Sequence, residues 1–298
     1  MKRAKETVLA VGVALALLAI PIIQRVALGA EGLKWVGCGI SKKAFMGPLA
    51  AAYEKKTGVK IKLEGGGATR GIVDVVEGKA DLGGTCRHVL PRQEERGVKL
   101  IPLGWDALVV LVHPSNTVKN LNLDQLKDIY TGKTTNWKQV GGADRKILVV
   151  ARSGKISGVG RMFRELVFKN PEQEFTPAAR IVEESAGVEQ VVEKDQGAIA
   201  VSGVSSSQKR AVKLVQVNGK APTDENIKDG SYLLYRPLYL VVKQQASDEV
   251  GKFVAFALSD AGQTVIAGEG TVNLKEGARL WALYSRQMKE AGVTPGSF

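Results

Sequence analysis

Three glycine-rich turns constrain the fold of this chain more than any other feature, because each lies where a strand pattern gives way to a helix pattern. They are Gly37-Cys-Gly-Ile-Ser41, Gly67-Ala-Thr-Arg70 and Ser153-Gly-Lys-Ile-Ser-Gly158. An apolar and polar alternation over Val59–Leu63 predicts the strand before the second turn. Strands that alternate with helices indicate an α/β fold with a largely parallel sheet. Ligands bind beyond the carboxyl ends of such strands, so we expect the turns to gather around one site.

Two apolar stretches, Ala107–Val112 and Tyr232–Val242, divide the chain into parts. The segment between them has strand and helix patterns of its own. We interpret the two stretches as crossover hinge strands that join two α/β lobes, the first of which is built from both chain ends. The predicted lobes are residues 31–108 plus 240–298 and residues 109–239.

The first thirty residues have the order of a secretory signal peptide. Lys2 to Lys5 is basic, Thr7–Ile23 is apolar, and Ala27–Ala30 consists of small residues before a predicted cleavage site. The alternative is an uncleaved membrane anchor, since the apolar run is just within spanning length. In both cases the working domain is predicted to be periplasmic or otherwise extracytoplasmic.

The charge and the cysteine content limit which classes of ligand and cofactor the chain is expected to bind. The chain carries a net charge of +12, but its Lys and Arg residues are scattered and no nucleic-acid-binding motif occurs, which argues against nucleic acid. Attraction of small anions fits this charge, as does a generally solvated basic surface. Cys38 and Cys86 are the two cysteines, and no zinc or haem spacing is found. We therefore predict no cofactor.

The turns also supply the donors that a tetrahedral oxyanion needs. Helix N-termini leave backbone N–H groups unpaired and carry partial positive charge. Ser41, Thr69 and Ser157 each add a hydroxyl group, and Arg152 lies beside the third turn. The sequence thus predicts a small-oxyanion site.

Beyond these turns the chain resembles the phosphate-binding subunit of bacterial phosphate ABC importers over residues 33–285. The stretches that carry the resemblance are Tyr53-Glu-Lys-Lys-Thr-Gly58, Glu64-Gly-Gly-Gly-Ala-Thr-Arg-Gly71, Gly78-Lys-Ala-Asp-Leu-Gly83, Asp128-Ile-Tyr-Thr-Gly-Lys133 with Asn136-Trp137, and Tyr235-Arg-Pro-Leu-Tyr-Leu240. The resemblance implies a type II periplasmic-binding-protein fold and closure of the lobes about a hinge. It also implies delivery of the ligand to the membrane permease of an ABC importer, and we expect a monomer.

The resemblance further implies which residues contact the ligand, and it shows departures from the family pattern. A family Ser is replaced by Ala68, an aspartate that accepts the proton of hydrogen phosphate is replaced by Cys86, and a Thr is replaced by Val159. The complete predicted ligand set is Ser41, Ala68, Thr69, Cys86, Arg87, Arg152, Ser157, Gly158 and Val159. Without the aspartate the chain lacks an evident means to prefer phosphate over sulfate, since a mismatched buried polar contact is what separates the two.

The two cysteines leave three interpretations open. A Cys38–Cys86 disulfide is usual for a pair in an exported chain. Alternatively, both thiolates face the cleft and bind a soft metal or a metalloid, or the cysteines are unpaired and inert. A further alternative is a ligand-gated partner of a membrane sensor, without transport. No activated nucleophile or clustered acid and base was found, so we predict that the chain is not an enzyme.

Overall fold

The computed structural model describes residues 32–268 and 271–293, in which strands and helices alternate as predicted. The strands are β1 (Leu33–Gly37), β2 (Ile61–Gly65), β3 (Leu82–Thr85), β4 (Val98–Val112), β5 (Asn120–Leu121), β6 (Leu148–Arg152), β7 (Arg180–Val182), β8 (Ala198–Gly203), β9 (Lys213–Val217), β10 (Tyr235–Lys243) and β11 (Val272–Asn273). The helices are α1 (Gly39–Ser41), α2 (Gly47–Thr57), α3 (Gly67–Val76), α4 (Leu123–Thr131), α5 (Gly158–Phe163), α6 (Ser185–Lys194), α7 (Val204–Ser207), α8 (Asp224–Lys228), α9 (Asp248–Leu258), α10 (Asp260–Ala267) and α11 (Leu280–Glu290). Single π-helical segments follow α1 and α5, at Lys42–Met46 and Arg164–Phe168, and short 3₁₀ turns occupy Gln93–Glu95 and Trp137–Val140.

Two long antiparallel strands, β4 and β10, form the centre of the sheet, and a parallel group flanks each of them. On one side β10 pairs with β3, which continues into β1 and β2 in parallel. On the other side β4 pairs with β8, which continues into β6 and β7 in parallel. Each parallel group therefore presents the carboxyl ends of its strands along one edge, where the predicted turns begin.

Strand β4 changes its partner about two thirds of the way along its length. Its residues up to Ala107 pair with β10, and from Leu108 onward they pair with β8. This is how a strand that crosses between two sheet regions is expected to behave. The described residues nevertheless cluster as one compact unit, so the lobe limits 31–108 plus 240–298 and 109–239 stay a prediction.

The predicted signal peptide, residues 1–30, lies outside the described residues. Within residues 32–268 and 271–293, none of the helices combines the length and the apolar character that a membrane crossing requires.

The helical region that follows the first turn packs against the core through one of its sides. Phe45, Leu49 and Tyr53 face the core from one side of the helix, as their spacing predicts. Gly58 ends the helix in the left-handed conformation with φ of 78°, which glycine adopts without steric cost.

Glycines let α3 lie directly on the sheet. A Cβ atom at Gly83 would lie 1.9 Å from the carbonyl oxygen of Gly71, and one at Gly71 would lie 2.5 Å from the carbonyl oxygen of Gly84. Backbone thus contacts backbone between α3 and β3, because neither side carries a side chain there. This close packing fixes the first turn of α3 beside the end of β3.

Replacing Gly83 with alanine is expected to lower the free energy of unfolding by about 1–3 kcal/mol, as overpacking of a filled interior does. Urea unfolding monitored by circular dichroism measures the loss. The matched control is Gly251→Ala in α9, where a Cβ atom would meet nothing within 4 Å. If both variants unfold at the wild-type urea concentration, the packing described for Gly83 is wrong.

Candidate functional site

Residues that follow β1, β2, β6, β7 and β8 line one cleft of about 230 Å³. The first and second predicted turns therefore contribute to this cleft, while Arg152, directly before the third turn, lines it from the other parallel group. The lining residues are Gly39, Lys43, Gly65, Gly66, Gly67, Arg152, Glu183, Glu184, Ser185, Ala186 and Ser206.

In the first turn a thiol caps the helix that follows. The Cys38 sulfur accepts a hydrogen bond from the Ser41 N–H at 3.3 Å. The Ser41 hydroxyl lies 3.0 Å from the same sulfur, and both side chains are buried. Thiol sulfur is a weak acceptor. The N–H and the hydroxyl of Ser41 can therefore leave the Cys38 sulfur and donate to a stronger acceptor.

The second turn presents backbone and not hydroxyl donors. Helix α3 begins at Gly67 without a side-chain cap, and Ala68 in its first turn is buried. The Thr69 hydroxyl donates to the Ile156 carbonyl oxygen at 3.3 Å and accepts a hydrogen bond from Arg87 at 3.1 Å. Its proton is thus used within the protein, and the donor role predicted for the Thr69 hydroxyl has no free hydrogen.

Arg87 requires a correction of its predicted role as a ligand contact. Its side chain is fully buried, and Glu95 binds the guanidinium group through both carboxylate oxygens at 2.7 and 2.8 Å. The remaining N–H groups donate to the carbonyl oxygens of His88 and Ile156 and to the Thr69 hydroxyl. Since a guanidinium group has five N–H donors and each has a partner here, Arg87 has none left for an anion.

Arg152 brings positive charge to the cleft at the end of β6. One terminal nitrogen donates to the Ser185 hydroxyl at 2.8 Å, the other donates to the Glu183 carbonyl oxygen, and Nε is buried without a partner among the described residues. Burial lowers the pKa of Arg152, and the nearby thiol groups of Cys86 and Cys38 counteract this effect. An arginine stays protonated under such conditions, so the guanidinium group keeps its charge.

The third turn brings its predicted residues against the first part of the chain. Ser157 precedes α5, and its buried hydroxyl has no hydrogen-bond partner within the part of the chain that the structure describes. A Cβ atom at Gly158 would lie 2.3 Å from the Cys86 sulfur and 3.0 Å from the Ala68 Cβ atom. Val159 is buried beside them. The predicted residues at 68, 86 and 158 are therefore direct neighbours.

Cys38 and Cys86 are free, buried thiols in this structure. A hydrogen bond from Cys38 lowers the pKa of Cys86, and the charges of Arg236 and Arg152 act in the same direction. Burial, together with the hydrogen bond to Cys86, raises the pKa of Cys38 well above its usual value. Their disulfide stays a prediction.

A buried ion pair that the sequence analysis missed lies next to Cys86. Arg236 on β10 and Asp106 on β4 face each other across the sheet, are both fully buried, and are joined by a 3.2 Å hydrogen bond. Arg236 also donates to the Cys86 carbonyl oxygen at 3.3 Å, while Asp106 accepts the Ser205 N–H at 3.1 Å. The signals in the sequence are Asp106, directly before the apolar stretch Ala107–Val112, and Arg236, the charged residue inside the apolar stretch Tyr232–Val242.

Acidic and basic groups both line the cleft. They include Glu183, Glu184 and Lys43, and the Lys43 ammonium group donates to the Ser206 hydroxyl at 3.0 Å. The same ammonium group lies 3.8 Å from the buried carboxylate of Glu189. Lys43 thus lies beside a buried carboxylate, while Arg152 donates to the Ser185 hydroxyl.

No group of three or more His, Cys, Asp or Glu side chains in residues 32–268 and 271–293 is placed to hold a metal ion. His88 contacts the buried carboxylate of Glu165 at 3.0 Å, and Met46 is fully buried in the core. The His88 ring is thus engaged by a carboxylate, and the Met46 side chain is part of the apolar packing.

Residues 37–261 match the family model described as a PBP superfamily domain. The chain is 26% identical over 256 residues to the phosphate-binding protein PstS of Borreliella burgdorferi, covering 82% of this chain and 91% of that protein. It is 30% identical to the Staphylococcus haemolyticus protein of the same name, covering 66% and 67% of the two chains.

A crystal structure of a Clostridium perfringens protein, described as a putative phosphate ABC transporter substrate-binding protein with bound phosphate, is similar with a TM-score of 0.73 and 30% identity. The alignment covers 82% of this chain and 99% of that one. These similarities confirm the type II fold and do not favour the soft-metal or sensor alternatives. The chain belongs to the PBP superfamily and, within it, to the family of phosphate-binding proteins that serve ABC transporters as substrate-binding subunits.

Proposed function

We propose that this chain is an exported, monomeric solute-binding protein that captures phosphate or a closely similar oxyanion and delivers it to an ABC permease. The observation that carries the proposal is a set of unpaired, buried donors where the turns meet. The Nε atom of Arg152 and the hydroxyl of Ser157 have no partner among the described residues, and the first turns of α3 and α5 have no side-chain cap. Buried donors without partners are costly, and an anion satisfies all of them together.

The proposed ligand set is smaller than the predicted one. Arg152 supplies the charge, Ser157 supplies a hydroxyl, and Ala68, Gly158 and Val159 supply backbone N–H groups. Ser41 joins by releasing its contact with the Cys38 sulfur. Arg87 and the Thr69 hydroxyl are left out because their hydrogens are used within the protein.

Catalysis has no place in this proposal. The family is one of transporter binding subunits and not one of enzymes, and in the proposal Arg152, Ser157 and the turn N–H groups bind and orient an anion. The proposal also includes no nucleic-acid partner, and it is supported in this by donors that are gathered in a small space and not spread along a basic surface.

A thermal-shift panel of phosphate, arsenate, sulfate and molybdate tests the proposal. We expect phosphate to raise the melting temperature, because a ligand present at a hundred times its dissociation constant adds about 2.7 kcal/mol of apparent stability. If none of the four oxyanions shifts the melting temperature at millimolar concentration, the proposed function is wrong.

Cys86 is expected to set the ligand preference. With a thiol where the family has an acidic acceptor, the wild-type protein should bind phosphate and sulfate with similar affinity. Cys86→Asp should raise the ratio of phosphate to sulfate affinity about tenfold or more, since one mismatched buried polar contact costs about 1–3 kcal/mol. Isothermal titration calorimetry with both anions measures the ratio. Cys86→Ala is the control, and a ratio that Asp and Ala change equally would contradict this role.

A further inference from the structure

We infer that Arg87 is a positioning residue for the proposed anion site: its guanidinium group holds the second and third turns together without contacting the ligand. The inference rests on the proposed function and goes beyond it, because it identifies what keeps the two sets of donors in register.

A buried carboxylate fixes the orientation of the guanidinium group. Glu95 binds it in a bidentate manner, and the same carboxylate accepts the Leu90 N–H at 2.9 Å. Side-chain exposure is 0% for Arg87 and 1% for Glu95. Bidentate pairs of this kind combine charge with a fixed planar geometry, so the other N–H groups of Arg87 point in set directions.

Those other N–H groups reach one residue of each turn. Nε donates to the carbonyl oxygen of Ile156 at 2.8 Å, and a terminal nitrogen donates to the Thr69 hydroxyl at 3.1 Å. The Thr69 hydroxyl itself donates to the Ile156 carbonyl oxygen at 3.3 Å. Arg87, Thr69 and Ile156 thus form a closed triangle between the first turn of α3 and the residue before Ser157.

The triangle also sets the direction of a donor. The peptide bond between Ile156 and Ser157 is planar and trans, so its N–H points opposite to its C=O. Because Arg87 and Thr69 hold that carbonyl oxygen on one side, the Ser157 N–H is turned to the other side. The arrangement orients the start of α5 before any ligand binds.

The next residue along the chain makes a parallel contact. His88 lies 3.0 Å from the Glu165 carboxylate, just beyond α5, and Arg161 donates to the same carboxylate. Two consecutive side chains therefore reach the segment that runs from Ile156 to Glu165. Contacts of this kind stabilise a closed arrangement of the turns and are lost when the turns separate.

The kinetic signature of such a role differs from that of a direct contact. Loss of the triangle should leave the rate of anion association unchanged. It should let the closed site open more often, so that the bound anion leaves sooner. Affinity changes of this kind lie in the dissociation rate. A residue with a general structural role would lower stability without selectively raising this rate.

Stopped-flow measurement of phosphate association and dissociation tests the inference with two variants. Thr69→Val keeps the side-chain shape and removes the bridging hydroxyl, and Arg87→Lys keeps the charge and removes the planar fork. We expect the phosphate dissociation rate to rise about 10-fold or more in each variant, as for loss of one or two hydrogen bonds to a charged group. The association rate should stay within about twofold of wild type, because the way in which the anion meets the protein is unchanged. The control is Arg92→Ala, which removes an exposed arginine 3.5 Å from Glu94.

Hydrogen exchange of residues 153–163 without added anion separates this inference from the proposed function. We expect faster exchange there in Thr69→Val and Arg87→Lys than in the wild type and in Arg92→Ala. If wild-type protein binds no phosphate but this difference is present, the proposed function fails and the positioning role stands. Unchanged exchange, or unchanged dissociation in folded variants, overturns the positioning role.

Discussion

Replacing Arg152 with alanine is expected to weaken phosphate binding about 100-fold, because hydrogen bonds to charged groups contribute about 1.5–3 kcal/mol each. Arg152 is a half-buried cation that lines the cleft and donates to the Ser185 hydroxyl. Removing it also leaves the Ser185 hydroxyl without its present donor. Isothermal titration calorimetry with phosphate measures the change.

Two further variants show where the effect comes from. Arg152→Lys keeps the charge but loses the planar fork, so we expect a loss of about tenfold, near that of one charged hydrogen bond. Arg180→Ala removes the same charge from an exposed position on β7 and should change the affinity less than twofold, since exposed charges are screened. Equal losses in Arg152→Ala and Arg180→Ala would mean that only net charge matters.

Replacing Arg236 with methionine is expected to lower the free energy of unfolding by about 3–5 kcal/mol, because removing one partner of a buried ion pair leaves the other charge uncompensated. Arg236 and Asp106 are both fully buried and face each other across β10 and β4. Burial raises the pKa of Asp106, and Arg236 opposes this rise. Urea unfolding of the ligand-free protein measures the loss.

The double variant Arg236→Met with Asp106→Leu should recover much of that stability, since well-packed apolar residues replace buried pairs at little cost. Lys138→Met is the matched control at an exposed pair, where Lys138 and Asp144 lie 3.7 Å apart and are 73% and 70% exposed. Its effect should stay below about 1 kcal/mol. A loss in Arg236→Met no larger than in Lys138→Met would contradict a structural role for the buried pair.

The sequence predicted much of the fold because strand alternation, helix periodicity and glycine turns are local signals. Strand limits were less certain: the alternation predicted a strand over Val59–Leu63, whereas β2 covers Ile61–Gly65. The shift arises because pairing with β1, in which Leu33 lies opposite Ile61, sets the limits. Such pairing is a long-range property that alternation does not contain.

The site was predicted less completely, and the reasons are physical. Ser157 and Gly158 lie where helix-start signals placed them, since these signals are local. The Arg236 and Asp106 pair depends on the register of two strands far apart in the chain. The resemblance implies a ligand role for Arg87, whereas its buried partner Glu95 is brought to it only by the folding of the intervening loop.

The central claim is that one oxyanion is held where the second and third turns meet beside Arg152. A crystal structure grown with arsenate, a tetrahedral analogue that scatters anomalously, locates the anion directly. We expect a single strong anomalous peak within hydrogen-bond distance of the Arg152 guanidinium group, the Ser157 hydroxyl and the first-turn N–H groups of α3. A peak elsewhere, or none at a concentration that stabilises the protein, would contradict the account.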